Sequence, residues 1–204
     1  TNDTVSFNNA VTLGDDVTID TGAGAGDITF ASTVSGARTL GVVAGTGAVT
    51  FTGAVALDGL TTLAQAYGIA FNGNADINQA VTFQNTGALA LGNGGDTLTF
   101  SGGLTSTSAA TTINGTVQSE GGAITLGNVT LGGATAISTN VNAPAGAALS
   151  IGGVTGGANT LTLNAGTGGA LSTGAIDNVT TLTVTDSGST SVNGAVTTTP
   201  TITI

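Results

Sequence analysis

The sequence predicts an all-β fold, a right-handed parallel β-helix of about ten coils of about 20 residues each, with no significant helix. Three observations predict it: a short strand phrase that returns along the chain, glycine at the corners between copies, and apolar residues drawn almost wholly from small β-formers. Of 204 residues 40% are hydrophobic but only 3% aromatic, so a core must come from Val, Ile, Leu and Ala. Such side chains suit a thin core. With Gly 35 and Pro 2, the chain bends almost always at glycine.

The phrase reads apolar, hydroxyl, apolar, small corner, apolar. It stands at Val5-Ser6-Phe7, Ile28-Thr29-Phe30, Val49-Thr50-Phe51, Ile69-Ala70-Phe71 and Leu98-Thr99-Phe100, each running into Gly, Asn or Ser. Later copies begin at Thr112, Ile124 and Leu149, with weaker ones at residues 171–176 and 191–196. Phe7, Phe30, Phe51 and Phe71 are spaced by 23, 21 and 20 residues. In the middle, Phe100, Ile113 and Leu126 are spaced by 13, which predicts a shortened or re-phased coil there. A second phrase lies between copies of the first: residues 39–47 match residues 160–168, and Thr181-Leu182-Thr183-Val184-Thr185 is a third version. These are period-2 strands ended by glycine turns. Residues 60–67 form the one window that reads as either helix or strand, and it lacks a cap.

One coil per repeat places Val49 and Phe51 inward and Thr50 outward. Phe then stacks on Phe and Val on Val, while Thr, Ser and Asn form outward columns. Each rung rises ~4.8 Å, so ten rungs make a rod on the order of 50 Å long. The right hand follows from the strong preference of parallel crossover connections. A β-sandwich also uses short strands, but it would show hairpin signals instead of one phrase returning in phase. The whole of 1–204 reads as one elongated unit, with Thr199-Pro200-Thr201-Ile202-Thr203-Ile204 as an extending or partner-pairing C-terminal strand.

Composition removes several function classes. The chain has no Cys and no His, and its one basic residue is Arg38. Thiol, imidazole and Schiff-base chemistry are therefore excluded within the chain, as are Ser-His-Asp and Cys-His arrangements. An enzyme is not expected. A net charge of −10 opposes phosphate backbones, so nucleic acid is not an expected partner. No apolar run reaches the ~18 residues of a membrane helix, and no membrane insertion is expected. The start at Thr1 suggests a processed product or an internal fragment.

The phrases at residues 160–168 and 49–55 resemble the repeats of large secreted bacterial β-helix proteins, the filamentous-haemagglutinin-like exoproteins and autotransporter passenger regions. The resemblance covers most of the chain as a style of repeat. It implies secretion across a bacterial outer membrane and a cell-surface or matrix role. The N-terminal secretion domain of two-partner exoproteins is not recognisable, which implies a repeat region or a stand-alone fibre subunit.

Four carboxylates are candidate calcium ligands: Asp15, Asp16 and Asp20 as hard oxygen donors, and Asp96 within Gly92-Asn93-Gly94-Gly95-Asp96, which resembles part of a calcium-binding nonapeptide. The competing reading is a glycine turn whose Asp bonds the local backbone. As neighbours on a strand, Asp15 and Asp16 would point to opposite faces, which argues against a catalytic pair. Thr-x-Thr pairs at 97/99, 160/162, 181/183/185 and 201/203 suggest an ice-binding face, but the sequence spacing does not keep them on one face of consecutive coils. The sequons at Asn2, Asn114, Asn128 and Asn178 follow from composition.

Open strand edges at the rod ends are candidate assembly surfaces. Thr4, Val5, Ser6 and Phe7 at one end and Thr201, Ile202, Thr203 and Ile204 at the other are the residues expected to pair between copies. Two functions from different classes follow: a structural subunit self-associating head to tail into a surface filament, sheath or biofilm-matrix fibre, and an adhesin module binding glycans or surfaces.

Overall fold

The structure is a computed structural model; it describes residues 2–106, 108 and 110–203, with backbone alone for 198–203. It is all-β, without helix, and its parallel strands stack into a β-solenoid of about nine turns. Among the described residues every strand-to-strand ladder is parallel, and one antiparallel bridge joins Glu120 to Asn140.

Each turn contributes three short strands, so the rod has three faces. Face A holds Val5–Phe7, Ile28–Phe30, Ala48–Phe51 and Gly68–Phe71, then residues 89–91, 111–113, 129–131, 154–155, 176–177 and 196. Face B holds Val11–Thr12, residues 34–36 and 55–57, Ala75–Ile77, then residues 98–100, 115–118, 135–138, 161–164, 182–186 and 201–203. Face C runs from Val17–Asp20 through residues 40–43 and 60–62. It continues as Val81–Phe83, Leu104–Ser106, Ile124–Leu126 and Leu149–Ile151, then residues 171–173 and 190–192. Successive strands on face A begin 18 to 25 residues apart, from Val5 and Ile28 to Ile176 and Val196.

Alternation decides what faces inward. In Ile28–Phe30, Ile28 and Phe30 are buried while Thr29 is half-buried on the outside. The same pattern repeats on all three faces and fills a narrow apolar core. Phe7, Phe30, Phe51 and Phe71 stack nearly flat on one another with centroids 4.8–5.0 Å apart, the spacing of the rungs themselves. The stack ends where Phe71 on face A, Phe83 on face C and Phe100 on face B meet edge to face.

That meeting corrects the expectation of a shortened coil in the middle. Phe100 pairs with Ile77 on face B, Ile113 with Leu91 on face A, and Leu126 with Ile151 on face C. Their spacing of 13 is about two-thirds of a coil: each step passes over one face, Leu104–Ser106 and then residues 115–118, and looks like a repeat because all three faces carry the same inward-outward-inward phrase. The ambiguous window also resolves. Val55–Thr62 is strand, and the chain then turns to bury Tyr67.

The longest corners are sealed from within. Thr21 donates its hydroxyl to Gly26 O at 2.8 Å, and Thr139 donates to Ala147 O at 2.8 Å and Ala165 O at 3.1 Å. Asn85 donates its amide to Tyr67 O, and Ser108 and Ser119 tie down Gly87 O and Gly122 O. These side chains are buried in an apolar interior, where a carbonyl left without a donor is costly. The Tyr67 hydroxyl serves the same purpose: it donates to Val42 O and accepts from Leu63 N–H, both at 2.9 Å.

Candidate functional site

The four candidate calcium ligands are not brought together. Asp15 and Asp16 lie in the bend between Val11–Thr12 and Val17–Asp20, so they are corner residues and not the opposite-facing strand neighbours expected from sequence. Asp15 Oδ1 accepts from Asp16 N–H, and Asp16 Oδ1 accepts from Thr39 N–H of the next coil. Asp20 at the far end of the strand accepts from Gly22 N–H. Asp96 sits several coils away and accepts from Asn93 N–H inside its glycine corner, where Gly92 and Gly95 have φ of 81° and 77°. Asp15, Asp20 and Asp96 cap local backbone, and Asp16 ties its corner to the next coil. Among the described residues no three Asp or Glu side chains gather around a common point.

The concavities are shallow: one of about 210 Å³ lies on face C beside Leu60, Thr62, Thr82 and Gln84, and two lie on face B. Of the face B pair, one of about 260 Å³ is lined by Ser35, Gly36, Ala56, Leu57, Asp76 and Asn78. The other, of about 310 Å³, runs past Gly95, Gly115, Thr116, Ala136, Thr160 and Thr162.

The outward columns are the more ordered feature. Face A presents Ser6, Thr29, Thr50, Ala70, Ala90, Thr112, Thr130 and Thr155 in register before a charge appears at Asp177. Face C presents Thr82, Thr105, Thr125, Ser150, Ser172 and Ser191. On face B, Thr97, Thr116, Ala136, Thr162, Thr183 and Thr203 share one column. Thr160, Thr181 and Thr201 form the column beside it.

This register corrects the sequence reading of the Thr-x-Thr pairs. Pairs 160/162, 181/183 and 201/203 do occupy one face of three consecutive coils. The chain spacing of 21 then 20 residues hid this, because bulges at residues 155–160 and 163–170 absorb the irregular corner lengths. Thr97/Thr99 lies on the same face three coils earlier, separated by ranks that carry Gln118 and Ala136.

The candidate assembly residues fall on different faces. Val5–Phe7 opens face A, with Thr4 just before it, whereas Thr201, Ile202 and Thr203 close face B. Ile204 lies outside the described residues. The first coil leaves inward residues half-covered: Val5, Phe7, Val11, Leu13 and Ile19 are partly exposed and Val17 is 40% exposed, whereas their counterparts one coil later are buried or nearly so. Phe7 stacks on Phe30 through one ring face, with no ring on its other side.

Burial raises the Tyr67 phenol above its ordinary value of 10.0, with the hydrogen bonds from Leu63 and Thr62 acting in the opposite direction. Among the described residues, no helix is long and apolar enough to cross a membrane. No protein-family model, no curated protein and no solved structure matches the chain.

Proposed function

We propose that this chain is an extracellular structural segment, a β-solenoid rod that joins end to end into a surface filament, sheath or matrix fibre. The carrying observation is the solenoid itself: apolar residues stack through successive coils into one narrow core, and parallel ladders run along the rod on all three faces. Stacking of this kind can continue from one rod to another without a change of section. The rest of the molecule suits a spacer. Most positions in its outer columns are Ser or Thr, its concavities are shallow, and Asp15, Asp16, Asp20 and Asp96 accept from backbone N–H groups at corners. The adhesin reading has less support, since five of the six Phe and Tyr67 are buried and offer no platform to a sugar ring. Placement outside the cell rests on the resemblance to secreted bacterial repeat proteins.

Negative-stain electron microscopy of the purified protein over a concentration series tests the reading. Filaments that lengthen with concentration are expected. Rods that stay single at the highest concentration would overturn it.

A second reading is favoured by one observation, the aligned pairs 160/162, 181/183 and 201/203 on face B. Thr160, Thr162, Thr181 and Thr183 then form hydroxyl- and methyl-bearing ranks ~4.8 Å apart along the rod and about 7 Å across it, and the backbone register continues through residues 201 and 203. Ice binding would appear as thermal hysteresis abolished by Thr183→Lys. Absence of hysteresis in the unaltered protein removes this reading.

A further inference from the structure

We propose that Asn93 is a self-modifying site. In the folded solenoid its carboxamide closes onto the Gly94 backbone nitrogen and reopens with water to aspartate or isoaspartate, while the other Asn-Gly pairs of the chain are protected.

The reaction needs a carboxamide free to swing onto the next backbone nitrogen, a following residue with no Cβ in the way, and a nitrogen outside a hydrogen-bonded ladder. Asn72-Gly73, Asn93-Gly94, Asn114-Gly115 and Asn193-Gly194 all offer the glycine. The fold separates them by the other two conditions.

Asn93-Gly94 crosses the corner between faces A and B. On one side the ladder skips from Leu91 to Asp96, and on the other it holds only residues 89–91 and 98–100. Residues 92–95 therefore form a bulge with no rung on either side. Asn93, Gly94 and Gly95 are exposed. A Cβ at Gly94 would meet only the Asn114 carboxamide, at 3.7 and 3.9 Å. Among the described residues, Asn93 is tied by its own N–H to Asp96 Oδ2 at 2.9 Å and by no hydrogen bond from its carboxamide. Gly94 has φ of 124°, where residues with a side chain are rarely found. The glycine that the turn requires is thus also what leaves the nitrogen unshielded.

The other pairs are held. Gly115 is buried and sits in register with Asp96 on one side and Thr135 on the other. The Asn193 carboxamide accepts from the Ser191 hydroxyl at 3.1 Å and donates to Ser172 Oγ at 3.3 Å. Asn72 donates its N–H to Phe51 O at 2.8 Å, and Gly73 is half-buried against the Gly53 backbone.

In the first step the Gly94 nitrogen bonds to Asn93 Cγ and loses its proton, the Cγ–Nδ2 bond breaks, and ammonia leaves with that proton. One water then opens the succinimide. Cleavage at Cγ gives aspartate, and cleavage at the Asn93 backbone carbonyl gives isoaspartate, with one extra atom in the main chain. Either product adds a negative charge beside Asp96. Inside a rung the extra atom would shift the register, but residues 92–95 have no register to lose. The reaction uses only this chain and water, so it is independent of whether rods join.

The test ages the folded protein in warm, mildly alkaline buffer and follows each Asn-Gly peptide by mass spectrometry after digestion with a broad-specificity protease. The Asn93 peptide is expected to convert several-fold ahead of the other three, faster as pH rises, with aspartate and isoaspartate forms both present. In guanidinium the four pairs are expected to convert at similar rates. A folded-state rate at Asn93 no higher than at Asn114, or a lead by another pair, would overturn the proposal. A lead for Asn93 that persists in guanidinium would assign it to local sequence and overturn the protection by the fold. Asn93→Gln, whose longer side chain closes a less favourable ring, is expected to remove most of the acidic form seen on isoelectric focusing. Undiminished acidic form in that variant, with its strands confirmed by circular dichroism, would overturn the site.

Discussion

The first five coils and the last four have the same three-sided section but fill and close it differently. In the first five, up to Phe100, the core holds all six Phe and the one Tyr, and the long corner joins face C to face A. That corner is tied inside by Thr21, Tyr67, Asn85 and Ser108. In the last four, the Phe column gives way to Ile113 and Leu131, and the long corner moves to the edge between faces B and C, held by Ser119 and Thr139. A β-solenoid thus requires only that inward residues stack on like residues and that each long corner be closed by a buried donor. Which apolar residue stacks, and which corner is long, are free to vary.

The largest test of that equivalence is in the aromatic stack. Phe51 is sandwiched between Phe30 and Phe71, so Phe51→Ala removes two ring contacts and is expected to cost about 3–5 kcal/mol, read by urea denaturation. Leu163→Ala in the aliphatic half is expected to cost about 2–4 kcal/mol, because its smaller side chain leaves a smaller cavity. An equal or reversed pair of values would break the claim that the aromatic coils are the more strongly packed.

Corner closure is next. Gly146 lies in the long corner of residues 139–148 with φ of 63°, and an added Cβ would press on the Ala165 carbonyl. Gly146→Ala is expected to cost roughly 1–3 kcal/mol by the same assay. Thr139→Val keeps shape but deprives Ala147 O and Ala165 O of their donor, with an expected loss of about 1–2 kcal/mol. Thr21→Val at the opposite corner should match it if the two corners are closed by the same device.

The smallest effect is a pH dependence confined to the first half. The folded Tyr67 holds its proton to higher pH than the unfolded chain, so its contribution is fully present below the ordinary value of 10.0. That contribution falls as pH rises through the raised folded value. As the chain's one tyrosine, Tyr67 can be followed by phenolate absorbance, and a midpoint at or below the ordinary value would contradict its burial.

Much of the fold is legible because the phrase is local. Val49-Thr50-Phe51 states its own inward and outward residues through strand alternation, and its return states the stacking. The number of strands per coil was not legible, since the same phrase serves all three faces and a spacing of 13 looks like an irregular coil. The candidate surface was half-legible. The Thr pairs were visible as residues, but their alignment depends on bulges that absorb unequal corners, and no sequence count reveals where a bulge falls. The carboxylates looked like ligands for the same reason: spacing says nothing about which backbone N–H lies nearby.

The sequence by itself determined that this is an all-β stack with an apolar interior and a hydroxyl exterior, because side-chain alternation and like-on-like repetition are properties of the chain alone. Only the tertiary structure decided that the rod has three faces, that the first strand opens face A while the last described strand closes face B, and that three Thr pairs share one face. Those outcomes depend on how unequal corners wind the chain around a common axis, which is a sum over the whole coil and not a property of any one segment.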